Sequence, residues 1–351
     1  MKILVVAGGT GGHLFPAIRL VEEIRLHKVG EVLLVSSCRE HDIKILREKN
    51  IEFKTLPLVP LRLRNPLSVL DFIIRLTVGT IKSGFLLLGF RPSRVVGFGS
   101  YVSGPILLLS ALTGVKTIIH EQNVYPGKAN RILAMFVNKI AISFSETRYY
   151  LKRFESKIIV SGNPLRRELR RSQREGDHFT ILAMGGSQGA HTLNRLIPEA
   201  IGLIEDKKRK ILNVVHVSGY RDRDEVAKAY QDRGIKNNIF SFTEEIHKLY
   251  SESDFVIARA GATTVSELLY LAKPSILIPY PHAGAHQLLN ARLLQKKGAA
   301  ILLEEKGLTP EELRDVILSF MNRAMLNNMS ARVKNTNGKD PCDILIREIV
   351  K

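Results

Sequence analysis

Along the first 120 residues, short and largely apolar runs alternate with longer stretches of helical spacing. Residues 2–7, 31–36, 94–98 and 116–120 predict strands covered on both faces, and 16–27, 40–49, 67–89 and 105–113 predict helices between them. The pattern restarts at 179–184. Strands are expected at 211–217, 238–241, 254–258 and 275–278, with helices at 192–204, 222–233, 244–251, 263–271 and 286–297. A last helix is expected at 341–350, with Asp340 placed to cap it. Apolar strands separated by helices imply parallel sheets, so the fold class is α/β. ILVVAGGTGGH at residues 3–13 is echoed by ILAMGGSQGAH at 181–191, each a strand running into a Gly-Gly turn that opens a helix. The echo predicts two related halves joined near the SGNP of residues 161–164. The expected domains are 1–161, joined by helix 340–351, and 162–339.

Composition narrows the class. With 45% hydrophobic and 25% charged residues, the 351-residue chain is ordinary globular protein, not disordered, collagen-like or multi-span. Cys38 and Cys342 are too few for a disulfide framework or a four-cysteine zinc site, which suits a reducing cytosol. The net charge of +18 is uneven: residues 1–170 carry +14 and residues 171–351 carry +4. A basic half suits an anionic partner, or serves solubility alone. Zinc-finger spacing, an RNP-like aromatic motif, a Lys/Arg run and Trp are all absent, so no nucleic-acid partner is expected.

Two stretches bear on membranes. The N-terminal apolar run is too short for a signal peptide. Residues 95–115 are uncharged, but Gly97, Gly99, Gly104 and Pro105 predict a strand, a glycine loop and a buried helix from Pro105. Residues 56–93 set Arg62, Arg64, Arg75, Lys82 and Arg91 among bulky apolar residues, with Asp71 the one acid. Two readings stand: a surface for anionic headgroups, or a core-facing helix pair with snorkelling cations.

The chemistry gathers at strand ends. A glycine turn opening a helix presents backbone N–H groups and the positive end of the helix dipole, which suits phosphate. Neither turn has the G-x-G-x-x-G spacing, no acid follows the second strand, where Ser36 and Ser37 stand, and Walker A is absent. GFGSYVSGP at 97–105, HEQN at 120–123, RAGATTVSE at 259–267 and His286–Gln287 occupy further strand ends. Open α/β sheets bind ligands there.

GGTGGHLFPA (8–17), GSYVSGP (99–105), HEQN (120–123), GNPLR (162–166), GGSQGA (185–190), ATTVSE (262–267) and HQLLNA (286–291) together resemble the MurG family of bacterial N-acetylglucosaminyltransferases, in order and over nearly the whole chain. The resemblance implies a GT-B fold, two Rossmann-like doubly wound domains facing across a cleft. It implies inverting transfer of N-acetylglucosamine from UDP-N-acetylglucosamine to lipid I, forming lipid II, at the cytoplasmic face of the inner membrane. No cofactor or active-site metal is implied. Possible partners include cell-wall and division proteins.

Carried onto this sequence, the donor site comprises Thr10, Gly11, Gly12, Asn123, Arg166, Ser187, Thr243, Ala262, Thr263, Thr264, Val265, Ser266, Glu267 and Gln287. Thr243 would act through its backbone. Tyr101 and Glu121 are assigned to the acceptor, with a loop-bracing role also open for Glu121. His13 is the proposed base, because an imidazole suits proton transfer near neutral pH. It could instead orient its loop or bind the acceptor diphosphate. The membrane face is assigned to 56–93. Alternatives are a GT-B enzyme with another lipid acceptor, a UDP-sugar 2-epimerase, and a basic nucleic-acid-binding protein.

Overall fold

A computed structural model describes the chain apart from Thr10, residues 62–64, Gln173, Asp177, and residues 187–188 and 334–339. The chain divides into two compact units, Met1–Leu165 with Gly338–Lys351, and Arg166–Asn337.

Unit 1 runs β1 (Lys2–Val6), α1 (Gly11–Leu26), β2 (Glu31–Ser37), α2 (Glu40–Glu48), β3 (Phe53–Leu56), α3 (Pro66–Phe90), β4 (Arg94–Gly97), α4 (Ser100–Leu112), β5 (Lys116–Glu121), α5 (Lys128–Leu133), β6 (Lys139–Ile142) and β7 (Ile158–Val160). The seven strands are parallel, in the order β3-β2-β1-β4-β5-β6-β7. Alternate residues of β1 serve opposite faces, as a pleated strand requires. Ile3 and Val5 pack with Leu14, Ile18 and Val21 of α1, while Leu4 and Val6 pack with Val102, Ile106 and Leu107 of α4.

Unit 2 runs β8 (Phe179–Met184), α6 (His191–Gly202), α7 (Asp206–Arg209), β9 (Leu212–Val217), α8 (Arg223–Gln231), β10 (Asn237–Phe240), α9 (Ile246–Glu252), β11 (Phe255–Ala258), α10 (Ala262–Leu271), β12 (Ser275–Leu277), α11 (Ala285–Lys296), β13 (Ala300–Leu302), α12 (Pro310–Phe320) and α13 (Arg323–Arg332). Its six strands are also parallel, in the order β10-β9-β8-β11-β12-β13. In both sheets the order reverses beside the first strand, the doubly wound arrangement.

The terminal helix α14 (Pro341–Val350) returns to unit 1. Asp340 caps it by accepting from the Cys342 N–H at 2.8 Å, as expected. Cys342, Leu345 and Ile349 enter the same core as α1. Beside them lies buried Arg19, which donates to Glu23, to Asp340 Oδ2 at 2.9 Å and to the Leu165 carbonyl at 2.9 Å.

Several expectations are corrected. α1 starts at Gly11, not Pro16, and α4 at Ser100, not Pro105. Each proline therefore stands inside its helix and forgoes one backbone bond. Burial of Leu14 and Val102 outweighs the weak helix propensity of the glycines and serines before them. The short strands β3, β6, β7 and β13 and the helices α5, α7, α12 and α13 were not expected; strands of three or four residues are too short to show a period. The long apolar helix expected at 67–89 is α3, and residues 95–115 fall in β4 and α4 as a strand and a helix, as expected. α3 packs on the unit along one side, where Gly79 and Ser83 are buried and Leu86, Leu87 and Phe90 meet the core, and leaves many of its bulky apolar residues exposed.

Replacing Arg19 by Met removes the buried cation that pairs with Glu23 and Asp340, with His27 Nε2 remaining 3.1 Å from Glu23, and should destabilise unit 1 by about 3 kcal/mol. Urea unfolding of Arg19→Met and of the Arg19→Met, Glu23→Met pair checks this. The pair should regain most of the loss, and a single variant of wild-type stability contradicts the account.

In unit 2, His216 is buried with Nδ1 3.0 Å from the Tyr230 hydroxyl and Nε2 3.0 Å from Asn194 Oδ1. Burial holds its imidazole at about 3, far below the ordinary value. The native state therefore keeps it neutral while the unfolded chain takes up a proton below pH ~6.5, so its contribution is whole above that pH and is lost as pH falls. Stability should drop by roughly 2–3 kcal/mol more between pH 6.5 and 4.5 in wild type than in His216→Gln. Parallel profiles in urea titrations would contradict this.

Candidate active site

In unit 1 the strand order reverses between β1 and β4, whose carboxyl ends lead into α1 and α4. The turn after β1 is held from below. Gly9, at φ +88°, donates its N–H to Asp42 Oδ2 at 3.0 Å, and Arg39 donates to the Gly9 carbonyl. The Ser37 hydroxyl binds the same Asp42 oxygen at 2.6 Å. A Cβ on Gly9 would lie 3.1 Å from the Tyr101 ring, so glycine lets Tyr101 of α4 rest against the turn. His13 stands in the first turn of α1 beside Gly99, whose own Cβ would come within 3.4 Å of the imidazole.

The end of β5 completes this edge. Glu121 is buried, and both of its carboxylate oxygens serve its own loop. Oε1 accepts from the backbone N–H of Asn123 at 2.9 Å and its side chain at 3.1 Å; Oε2 accepts from Gly127 N–H at 2.9 Å and Asn130 at 2.8 Å. Acceptor contact through Glu121 does not fit a carboxylate already taken by four donors, so Glu121 is a brace. His120 is also buried and its Nε2 lies 2.9 Å from the Gly162 carbonyl. Burial, working against that bond, pulls its imidazole down to about 4 and keeps it neutral. Gln122 fills the space between His120 and His13, with Oε1 2.9 Å from His13 Nδ1.

In unit 2 the corresponding reversal lies between β8 and β11. The turn after β8 needs glycine for space: a Cβ on Gly189, at φ +77°, would stand 2.1 Å from the Ser218 carbonyl oxygen. α6, α10 and α11 open along this edge at Ala190, Gly261 and Gly284, and no side chain caps them. At α12, α13 and α14, Thr309, Asn322 and Asp340 do cap their helices. A helix start directs backbone N–H groups and the positive end of the helix dipole outward, which suits an anion.

The donor residues expected from sequence are sorted by this geometry. Gly11 and Gly12 form the first turn of α1 with His13. Ala262, Thr263 and Thr264 form the first turn of α10. Val265 does not fit: its side chain is in the core and its N–H donates to the Gly261 carbonyl at 2.9 Å. The Ser266 hydroxyl is bonded to the Ala262 carbonyl at 2.8 Å. Glu267 is buried and accepts from the Tyr250 hydroxyl at 2.9 Å; burial raises its pKa, while Arg166 pulls the other way. Arg166 donates to the Glu244 carbonyl at 2.7 Å. The Thr243 hydroxyl oxygen accepts from the Glu245 N–H at 3.0 Å. Gln287 uses Oε1 on the Tyr280 N–H at 2.8 Å and keeps its amide donors. Thr10 and Ser187 lie outside the described residues.

Sequence reasoning missed Gln122, Asn130, Asp42 and Arg39. The HEQN quartet pointed at Gln122; no local signal pointed at the other three. Among the described residues one group, His191, Asp222 and Glu225, has three ligand atoms within 4.8 Å. Asp222 there already accepts from Asn194 at 2.8 Å and lies 3.1 Å from His191, bracing α6.

Two family models match the chain: the glycosyltransferase family 28 N-terminal domain over residues 3–142 and its C-terminal domain over 180–341. The UDP-N-acetylglucosamine–N-acetylmuramyl-(pentapeptide) pyrophosphoryl-undecaprenol N-acetylglucosamine transferase of Syntrophus aciditrophicus is 36% identical over 95% of this chain and 93% of its own. Its counterpart from Myxococcus xanthus is 38% identical over 90% and 84%. Among solved structures, Acinetobacter baumannii MurG aligns at a TM-score of 0.79 and 27% identity over 99% of both chains. A UDP-GlcNAc 2-epimerase from Neisseria meningitidis shares the fold alone, at 0.69 and 14%. Two parallel-sheet units with these relatives make the fold GT-B, and the chain belongs to the MurG family of glycosyltransferase family 28.

Proposed function

We infer that this chain transfers N-acetylglucosamine from UDP-N-acetylglucosamine to lipid I, giving lipid II and UDP. The observation that carries the reading is a glycine turn at the reversal point of each sheet, in a chain whose near-full-length relatives are named for this transfer. In unit 2, the turn after β8, the first turn of α10 and Arg166 supply donors for the UDP diphosphate. Glu267 takes the ribose side and Gln287 the sugar. In unit 1, Asn123 serves the sugar, Tyr101 the acceptor, and His13 the acceptor hydroxyl. That oxygen gives its proton to His13 Nε2 and bonds to the anomeric carbon, while the bond from that carbon to the UDP oxygen breaks. UDP leaves with the electron pair and the anomeric centre inverts.

The exposed apolar side of α3 supports a membrane-surface location. Leu67, Leu70, Ile74, Val78, Ile81, Phe85 and Leu88 repeat at three- and four-residue steps, and all are exposed, Leu67 by 75% and Leu88 by 71%. The opposite side packs on the unit: a Cβ on Gly79 would strike Leu58, and Leu86, Leu87 and Phe90 meet the α4 core. A helix bound to protein along one side and apolar along the other suits an interface better than a bilayer crossing. We place α3 on the cytoplasmic face of the plasma membrane, with the net positive charge of residues 1–170 favouring anionic headgroups.

Transfer of labelled N-acetylglucosamine to a lipid I analogue, with EDTA present, tests the activity. Wild type should make product. His13→Ala should keep its UDP-induced melting shift and lose about 100-fold or more in kcat. Absence of wild-type product despite UDP binding would turn the reading to a different lipid acceptor. Vesicle sedimentation tests the location: Leu70→Glu, Ile74→Glu, Ile81→Glu should lose at least about tenfold in binding to phosphatidylglycerol vesicles. Unchanged binding would contradict the placement.

A further inference from the structure

Behind His13 stand two buried side chains, Gln122 and His120. The Gln122 amide has two ends with different surroundings. Nε2 lies 3.0 Å from the Phe98 carbonyl oxygen, and an amide oxygen placed there would face another acceptor. Nε2 also lies 3.0 Å from His120 Nδ1. His120 Nε2 meets the Gly162 carbonyl at 2.9 Å, a bond only an N–H can make, so in the neutral ring Nδ1 is an acceptor and requires a donor. Two independent carbonyls, Phe98 and Gly162, thus set the same amide orientation. Oε1 of Gln122 then points to His13 Nδ1 at 2.9 Å.

We propose that Gln122, held by the Phe98 carbonyl and by His120, is a positioning residue that keeps the proton of neutral His13 on Nδ1 and the lone pair on Nε2. The proposal rests on the reading of His13 as base. An imidazole free to change tautomer presents Nε2–H part of the time, and in that form Nε2 cannot accept a proton. Gln122 removes that fraction. Being uncharged, it orients the ring without adding a carboxylate beside it. When His13 takes the acceptor proton, Nδ1–H keeps the same partner, so no bond has to be remade. His120 does not share the proton: buried and bonded at both ring nitrogens, it acts as a fixed peg.

The test is nitrogen-15 NMR of the histidine rings in the full-length protein above the imidazole titration range, the His13 signals being assigned by their loss in His13→Ala. The expected spectrum has His13 protonated at Nδ1 and bare at Nε2. The reverse tautomer in wild type overturns the proposal without any variant having to fold. Gln122→Met removes both ends of the amide. It should show mixed His13 tautomers and at least about tenfold lower kcat, with KM for UDP-N-acetylglucosamine within about twofold. A Gln122→Met chain with wild-type kcat overturns the positioning role. Failure of the base reading itself shows separately, as undiminished turnover by His13→Ala with the Nδ1–H tautomer still observed in wild type.

Discussion

Where a parallel strand ends and a helix begins, backbone N–H groups and the positive end of a helix dipole face outward, and both sheets place two such junctions side by side. That concentration of backbone donors governs the chemistry of this chain. It makes the reversal edges the natural place for anions, and it makes glycine necessary where backbone must turn in little space, as at Gly189 against the Ser218 carbonyl. At these edges the N-cap positions are Gly99, Ala190, Gly261 and Gly284, none of which supplies a capping side chain, whereas Thr309, Asn322 and Asp340 cap α12, α13 and α14.

The polar groups behind the edges serve to hold position. Glu121 gathers four donors from its own loop, Asp42 ties the first glycine turn to α2, and Gln122 links His13 to a buried neutral His120. Each is satisfied, so each adds rigidity instead of an orphaned buried charge. Only a few side chains are then left to meet ligand, and they stand on elements that packing has already fixed.

Much of this was legible in the residues. Apolar strands and the 3–13 and 181–191 echo foretold two parallel-sheet units, because strands buried on both faces need no polar alternation. The glycine-turn and strand-end motifs that hold His13, Tyr101 and the start of α10 stand after β1, β4 and β11, as the alternation of strands and helices foretold. The starts of α1 and α4 were misjudged because Pro16 and Pro105 resemble first-turn prolines, and tertiary burial of Leu14 and Val102 extends each helix ahead of them. Val265 and Glu121 lie within motifs, yet burial and bonding give them internal roles that no motif distinguishes. The exposure of α3 was also hidden, since the same apolar helix can face a core or a lipid surface.

Amide hydrogen exchange with and without UDP-N-acetylglucosamine tests most directly whether the reversal edges hold the donor. The account predicts slowed exchange concentrated at the turn after β8, residues 185–190, and at the first turn of α10, residues 261–264, with β9 and β10 unchanged. Protection confined to other segments, or none at saturating donor, would contradict it.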